Sequence, residues 1–156
     1  MMKCGMMSTQ LLKELLNELE LTKGKNCLFF IILDGSGSWI EDRVEENGFE
    51  IDRIFLAKED SLFKLVDILL KWKETAENTV YFVYGMMNQA PEILSYLNLH
   101  RDFLYDIKRP LIILGNIYDM QGIHTHAPDL WRFRSRTYDF SQKEKEIWPQ
   151  NHRIKS

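Results

Sequence analysis

Hydrophobic positions along this chain follow two patterns, one helical and one extended. Five leucines near the start recur at the spacing of a single helix face: Leu11, Leu12, Leu15, Leu16 and Leu19. They predict a leucine-rich first helix that has Ser8 as its N-cap and ends before Gly24. The next segment, 27–33, is apolar at every position, which is typical of a strand buried on both faces of a parallel sheet.

The two patterns continue to alternate as far as residue 140. Further strands are predicted at 51–57, 79–84, 110–115 and 136–140. The first of these is the least apolar, so we expect it near the edge of the sheet. Further helices are predicted at 39–46, 61–72, 91–105 and 118–127.

This alternation favours an α/β fold, a three-layer sandwich around a mainly parallel sheet of about five strands. We expect one domain over residues 1–140, beginning with the leucine-rich helix. Residues 141–156 are charged and contain Ile147-Trp148-Pro149. They are either a C-terminal tail or the stub of a linker.

Composition narrows the classes of function. The chain has 156 residues, of which 45% are apolar and 28% charged, and its formal net charge is −3. This mildly acidic balance gives no electrostatic reason to expect binding to nucleic acid or to an anionic membrane. The longest apolar run is far shorter than the ~20 residues of a membrane helix. We therefore expect a cytoplasmic protein with no nucleic-acid or membrane partner.

A glycine-rich loop at 34–38 follows the first buried strand, where a nucleotide-binding fold holds its phosphate loop. The phosphate-loop pattern ends in Gly-Lys followed by Ser or Thr, whereas no lysine appears here before Arg43. Without that lysine, hydrolysis loses a main stabiliser of phosphate charge. Two readings stay open, a plain strand-to-helix turn and a residual anion or adenine site with the candidate residues Gly35, Ser36, Gly37 and Ser38.

The strand predicted at 79–84 gives a second test of nucleotide hydrolysis. A working enzyme places carboxylates at the end of such a strand to hold Mg²⁺ and polarise water. This strand instead runs into Gly85-Met86-Met87-Asn88, without an acid. We therefore expect no catalytic residues, no enzyme activity, no cofactor and no metal. His124 and His126 point to different faces of a helix, so we expect surface histidines there.

Aromatic and basic side chains are concentrated between residues 129 and 136. Tryptophan and arginine are enriched at binding hot spots. The resulting interaction candidates are Trp131, Arg132, Arg134 and, in the tail, Trp148. The alternative, which we favour, is that Trp131 fills the core while the arginines pair with carboxylates such as Asp102 and Asp139.

Three motifs in the second half of the chain follow one another in a characteristic order. They are Leu97-Asn98-x-x-Arg101-Asp102-x-Leu104, an apolar strand led by Pro110, and Ala127-Pro128-Asp129-Leu130-Trp131-x-x-Arg134-Ser135 before a short strand ending Asp139-Phe140. This order resembles a degraded form of the STAND NTPase core (signal-transduction ATPases with numerous domains) of bacterial and archaeal signalling proteins.

The resemblance implies a P-loop-NTPase-like fold without a working phosphate loop. It implies a non-catalytic adaptor or scaffold in a prokaryotic signalling or defence system, acting through a protein partner or self-association. We expect the contact surface on the first helix, if Leu12 and Leu16 widen its apolar stripe beyond one core face, and on the tail around Ile147 and Trp148. The alternative is a module that senses a nucleotide or another small ligand without hydrolysing it.

Overall fold

The computed structural model describes residues 2–141 of the chain, with side chains from residue 9 onward. Five strands lie in this part: β1 Cys27–Ile32, β2 Glu50–Phe55, β3 Thr79–Tyr84, β4 Pro110–Gly115 and β5 Arg136–Asp139. The helices are α1 Met2–Leu21, α2 Ser38–Glu46, α3 Lys64–Leu69, α4 Glu92–Leu99, α5 Arg101–Tyr105, α6 Ile117–His126 and α7 Pro128–Phe133. Short 3₁₀ turns cover Trp72–Glu74 and Met86–Gln89.

The strands form one sheet in the order β2-β3-β4-β1-β5, and every neighbouring pair is parallel. All six residues of β1 are buried, as its continuous apolar pattern predicts. In β2 only Ile54 is buried, and this strand lies at the edge of the sheet. The prediction of a mainly parallel five-stranded sheet is therefore confirmed.

Alternate strand residues build a separate core on each face of the sheet. One face, which includes Phe30, packs against buried side chains of α3 to α7. The opposite face, which includes Phe29, packs against α1 and α2. The protein is thus an α/β sandwich of three layers, because both faces of the sheet carry helices. Within the residues that the structure describes, every helix is too short or too polar to cross a membrane.

The leucine stripe of α1 faces this second core. Leu12, Leu15 and Leu19 are buried there, and Leu16 packs against the same cluster while remaining partly exposed. The prediction that Leu12 and Leu16 form a contact surface for another protein is wrong, because the sheet of the same chain covers the stripe. The other predicted surface, Ile147 and Trp148, lies outside the described residues.

Several helix boundaries differ from the sequence-based prediction. Helix α1 begins at Met2, so Ser8 lies within it and is not its N-cap. The helix predicted at 61–72 is shorter, because the Ser61 hydroxyl accepts a hydrogen bond from the Phe63 amide and forms a turn ahead of α3. His100 has a non-helical backbone and divides the predicted helix 91–105 into α4 and α5.

Candidate functional site

The carboxyl ends of β1 and β4 lie side by side, and the chain leaves them toward opposite faces of the sheet. Helix α2 follows β1 on one face, and α6 follows β4 on the other. In open α/β sheets such a reversal leaves a crevice at the carboxyl edge, and ligands bind there. A cavity of about 230 Å³ occupies this crevice. Its walls are Leu33, Gly35, Tyr84, Gly85, Leu114, Gly115, Asn116 and Asp119.

The glycine-rich loop predicted as a residual anion site borders this cavity, but only Gly35 lines it. The hydroxyl of Ser36 accepts a hydrogen bond from the Ser38 amide at 3.1 Å, so the loop satisfies one of the amides that open α2. Gly37 is buried, and a Cβ atom there would lie 2.9 Å from Leu114 and 3.0 Å from the Tyr84 hydroxyl. The loop is thus packed against neighbouring side chains at the point where a phosphate loop holds its anion.

Glu41, in the first turn of α2, is the charged group that sequence analysis missed. Only 2% of this residue is exposed. Its carboxylate accepts hydrogen bonds from the Tyr84 hydroxyl and from Arg53 Nε, the latter at 2.5 Å. A carboxylate near a helix N-terminus is stabilised by the positive end of the helix dipole. Helix α2 therefore carries its own anion near the end where a nucleotide phosphate would bind.

Both hydrogen-bond donors of Glu41 have shifted pKa values. Burial and then the hydrogen bond to Glu41 raise the pKa of Tyr84 well above its ordinary value. The hydrogen bond to Glu41 likewise raises the pKa of Arg53. At neutral pH the Glu41 cluster, defined as Glu41, Tyr84 and Arg53, therefore contains a neutral phenol and a guanidinium cation facing the carboxylate.

The opposite wall of the cavity is formed by the start of α6. The Asn116 side chain accepts a hydrogen bond from the Asp119 amide at 2.8 Å, and the Asp119 carboxylate accepts one from the Asn116 amide at 2.9 Å. This reciprocal capping box fixes the helix start. Asp119 is an acid, and among the residues that the structure describes, no lysine, arginine or histidine lines the cavity. This lining is electrostatically unsuited to a polyphosphate.

Exposed aromatic side chains stand around the same edge. Phe55, at the end of β2, is 59% exposed and stacks on Tyr84 with ring centroids 5.0 Å apart. Tyr118, in the first turn of α6, is 62% exposed. Trp39, in the first turn of α2, is 41% exposed and meets Phe140 edge to face. These three side chains belong to different elements at the carboxyl edge, and we call them the aromatic rim: Trp39, Phe55 and Tyr118.

Trp131 lies in the core, as the favoured interpretation of the sequence predicts. It is 6% exposed and stacks on Phe30 with centroids 5.0 Å apart, while the Arg134 guanidinium lies 4.3 Å above its ring. Arg132 is exposed and pairs with a carboxylate, that of Asp129 on its own helix, at 2.8 Å. The structure thus gives Trp131 a packing role and leaves Arg132 at the surface.

The sequence motifs around Leu97 and Trp131 meet in space. The Asn98 side chain accepts hydrogen bonds from the amides of Asp129 at 2.9 Å and Leu130 at 3.1 Å. Ala127, the residue preceding α7, has only a methyl side chain and cannot accept a hydrogen bond from the helix amides, so Asn98 supplies the cap from α4. Arg101 adds an ion pair with Asp129 at 3.4 Å. These motif residues therefore form a structural junction between α4, α5 and α7.

The two histidines of α6 are exposed, in agreement with the prediction. The ring of His124 meets Trp131 edge to face at 5.6 Å. Among the side chains that the structure describes, no group of three or more His, Cys, Asp or Glu residues is arranged to hold a metal ion.

Comparison with known proteins adds a likeness in fold. No protein-family model matches the chain, and no curated protein matches it. The structure of the Aeropyrum pernix ORC2 protein, in ADPNP-ADP complexes, is similar over 85% of this chain and 46% of that one, with 9% identity and a TM-score of 0.45. The chain thus spans about half the length of that protein. A likeness of this size carries no argument about activity or ligands.

Proposed function

We propose that this protein is a non-catalytic adaptor domain that binds a protein partner at the carboxyl edge of its sheet. The observation that carries this proposal is the Glu41 cluster. A buried carboxylate held by Tyr84 and Arg53 lies beside the loop where a nucleotide-binding fold places its phosphates. The Arg53 guanidinium is paired with this carboxylate at 2.5 Å, so it is not a free cation for a phosphate brought to the same end of α2.

The aromatic rim supports protein binding at this edge. Large apolar side chains that are exposed together often mark contact sites, and aromatic residues are enriched in protein interfaces. The motifs at 97–104 and 127–140 favour a cytoplasmic, inactive relative of the STAND NTPase core, which acts in a prokaryotic signalling or defence assembly. The proposal requires no cofactor and no nucleic-acid or membrane partner.

A second candidate function is the sensing of a small ligand without hydrolysis. It is favoured by the cavity, because this lies at the crevice where α/β sheets usually bind ligands. Drug-sized ligands generally occupy pockets of about 300–1,000 Å³. The main cavity is smaller than that range, and a further cavity of about 90 Å³ shares the lining residues Gly85, Leu114 and Asp119 with it.

Partner capture tests the adaptor proposal. The full chain, immobilised and exposed to an extract of the native host, should retain a protein that is lost with the Phe55→Ala/Tyr118→Ala variant. The matched control is Leu70→Ala/Leu99→Ala, because these two exposed leucines lie at the ends of α3 and α4, toward the opposite edge of the sheet. The control should retain the same protein as the parent chain.

Equal retention by all three chains would contradict the proposed binding surface. If nothing is retained, a thermal-shift scan with nucleotides and other small metabolites separates the two candidate functions. A ligand that binds only the folded state raises the melting temperature. A shift that disappears in Asn116→Ala would favour the sensing module.

A further inference from the structure

Two side chains in the wall of the main cavity suit one kind of ligand. Asp119 supplies a carboxylate and Tyr84 an aromatic ring. Leu33 and Leu114 add apolar surface, and of the residues described, none that lines the cavity is a cation. A cationic group on an apolar stem therefore fits this lining better than an anion or a fully apolar group, because its charge meets a carboxylate and its stem meets the leucines.

Both polar groups are held in place by the protein itself. Asp119 Oδ2 accepts a hydrogen bond from the Asn116 amide at 2.9 Å, and Oδ1 can accept further hydrogen bonds. The same carboxylate lies over Gly115, where a Cβ atom would be 2.8 Å from Asp119 Oδ2. Tyr84 is fixed by the hydrogen bond from its hydroxyl to Glu41. A ligand that binds between them therefore has little side-chain motion to freeze on this side of the contact.

A guanidinium group matches this pair best. It is planar, so its edge can donate hydrogen bonds to a carboxylate while its face packs on an aromatic ring. A lysine ammonium is more strongly hydrated and has no flat face. A metal ion requires several ligands, and of the side chains described, none belongs to a group of three or more His, Cys, Asp or Glu residues arranged to hold one. The lining therefore favours arginine over lysine and over a metal ion.

The size of the cavity indicates one side chain of a larger molecule. Its volume of about 230 Å³ is below the range of about 300–1,000 Å³ that is typical of pockets for drug-sized ligands. The aromatic rim stands around the same edge, and its Phe55 stacks on Tyr84, so apolar surface continues outward from the cavity wall. Apolar groups next to an arginine can therefore pack against the rim while the guanidinium enters the cavity.

We propose that the cavity at the carboxyl edge binds an arginine side chain of the protein partner, with its guanidinium hydrogen-bonded to Asp119 and packed on Tyr84. Apolar residues beside that arginine contact the aromatic rim. This inference rests on the proposed function, because it names the chemistry of the partner. A hydrogen bond between a guanidinium and a carboxylate is charge-assisted, and arginine is enriched at binding hot spots. Binding of the partner therefore depends strongly on this one side chain.

Two blocked tripeptides test the ligand chemistry. One is acetyl-Phe-Arg-Phe-amide, and in the other citrulline replaces arginine, which keeps the shape and removes the charge. Titrated into the nitrogen-15-labelled full chain, the arginine peptide should shift the amide signals of Gly85 and residues 115–119. It should bind about tenfold more tightly than the citrulline peptide, because only the guanidinium forms a charge-assisted hydrogen bond.

Two variants that each remove one negative charge assign this difference to the cavity. In Asp119→Asn the amide oxygen can still accept the hydrogen bond of the capping box, and the two peptides should bind equally. Asp106→Asn is the matched control, because Asp106 is exposed and lies just before β4, toward the opposite edge of the sheet. In the control the tenfold difference should remain.

Equal or undetectable binding of the two peptides to the parent chain would overturn the proposal. A difference that survives in Asp119→Asn, or that is lost in Asp106→Asn, would also overturn it. Acetyl-arginine-amide binding as tightly as the tripeptide would assign the cavity to a free guanidinium compound instead of a partner.

The peptide titrations need no partner, so their failure is distinguishable from failure of the capture experiment. If both proposals hold, an excess of the arginine peptide should release the captured protein from the full chain, and the citrulline peptide should not. Release by both peptides or by neither would contradict an arginine contact in that complex.

Discussion

Glu41 is a buried acidic residue in the first turn of α2. Burying a carboxylate is costly unless hydrogen bonds and an opposite charge replace its hydration. Tyr84 and Arg53 supply these from two different strands, and Arg53 remains about half exposed. Removal of either donor leaves the carboxylate short of a partner. The Glu41 cluster is therefore sensitive to single substitutions at any of its three positions.

Tyr84 should make the stability of the protein depend on pH in alkaline solution. Its pKa is raised in the folded state, whereas in the unfolded chain it ionises near pH 10. The stabilisation from Tyr84 is therefore complete below pH 10 and decreases as the pH rises above that value. Tyr84→Phe should be less stable than the parent at pH 8, and the difference should narrow by about 1.4 kcal/mol per pH unit above pH 10.

Urea unfolding of both chains between pH 8 and pH 11 measures this change. Tyr118→Phe is the control, because Tyr118 is largely exposed. Its difference from the parent should stay constant over the same range. If the Tyr84→Phe difference is also constant, the hydroxyl of Tyr84 does not have the environment described.

At the scale of secondary-structure elements, the turn after β3 is tightly constrained in its backbone conformation and in the residues it accepts. Gly85 has a φ of +79°, and a Cβ atom there would lie 2.3 Å from the carbonyl oxygen of Leu56. Asn88 donates a hydrogen bond to the same oxygen at 2.8 Å. The backbones that follow β2 and β3 therefore approach so closely that only glycine fits, and this approach shapes one side of the cavity.

Gly85→Ala should destabilise the protein more than the same change at Gly48. Gly48 has a similar φ of +94°, but nothing lies within 4 Å of its Cβ position. Gly48→Ala should cost about 1–2 kcal/mol for the left-handed backbone alone. Gly85→Ala adds the clash with Leu56, so its free energy of unfolding should be lower than that of Gly48→Ala. Equal values in denaturant unfolding would contradict the close approach.

For the whole molecule, the missing lysine after β1 and the missing carboxylate after β3 predict the absence of nucleotide turnover. The purified chain should hydrolyse neither ATP nor GTP above background with Mg²⁺ present. The loop after β1 lacks the lysine, and β3 ends in Tyr84 and Gly85 without a carboxylate. Asp119→Asn serves as the control, because Asp119 is the acid in the cavity wall. Turnover in the parent that is lost in this variant would refute the non-catalytic proposal.

The strands were predictable because burial on both faces leaves a local signature. The predictions for β3 and β4 agree with the structure at both ends, and that for β1 differs by one residue. Helix ends were less predictable, and α7 was not predicted. Its cap is Asn98, some thirty residues earlier, so the residue before the helix supplies no capping side chain, and Pro128 in the first turn is a local signal of its start that was not used.

In the candidate site, too, some features were predictable from local sequence and others were not. Local sequence places a glycine-rich loop after a buried strand and shows that its lysine is missing, because both features lie within a few consecutive residues. The Glu41 cluster joins residues 12 and 43 positions apart along the chain. In the strand order β2-β3-β4-β1-β5, strand β4 lies between β3 and β1. Tyr84, at the end of β3, nevertheless reaches Glu41 in α2, the helix that follows β1. The local pattern of apolar residues, continuous in the buried strands and helically spaced in the helices, thus specifies which segments are strands and helices, whereas packing between distant segments sets which side chains meet at the carboxyl edge.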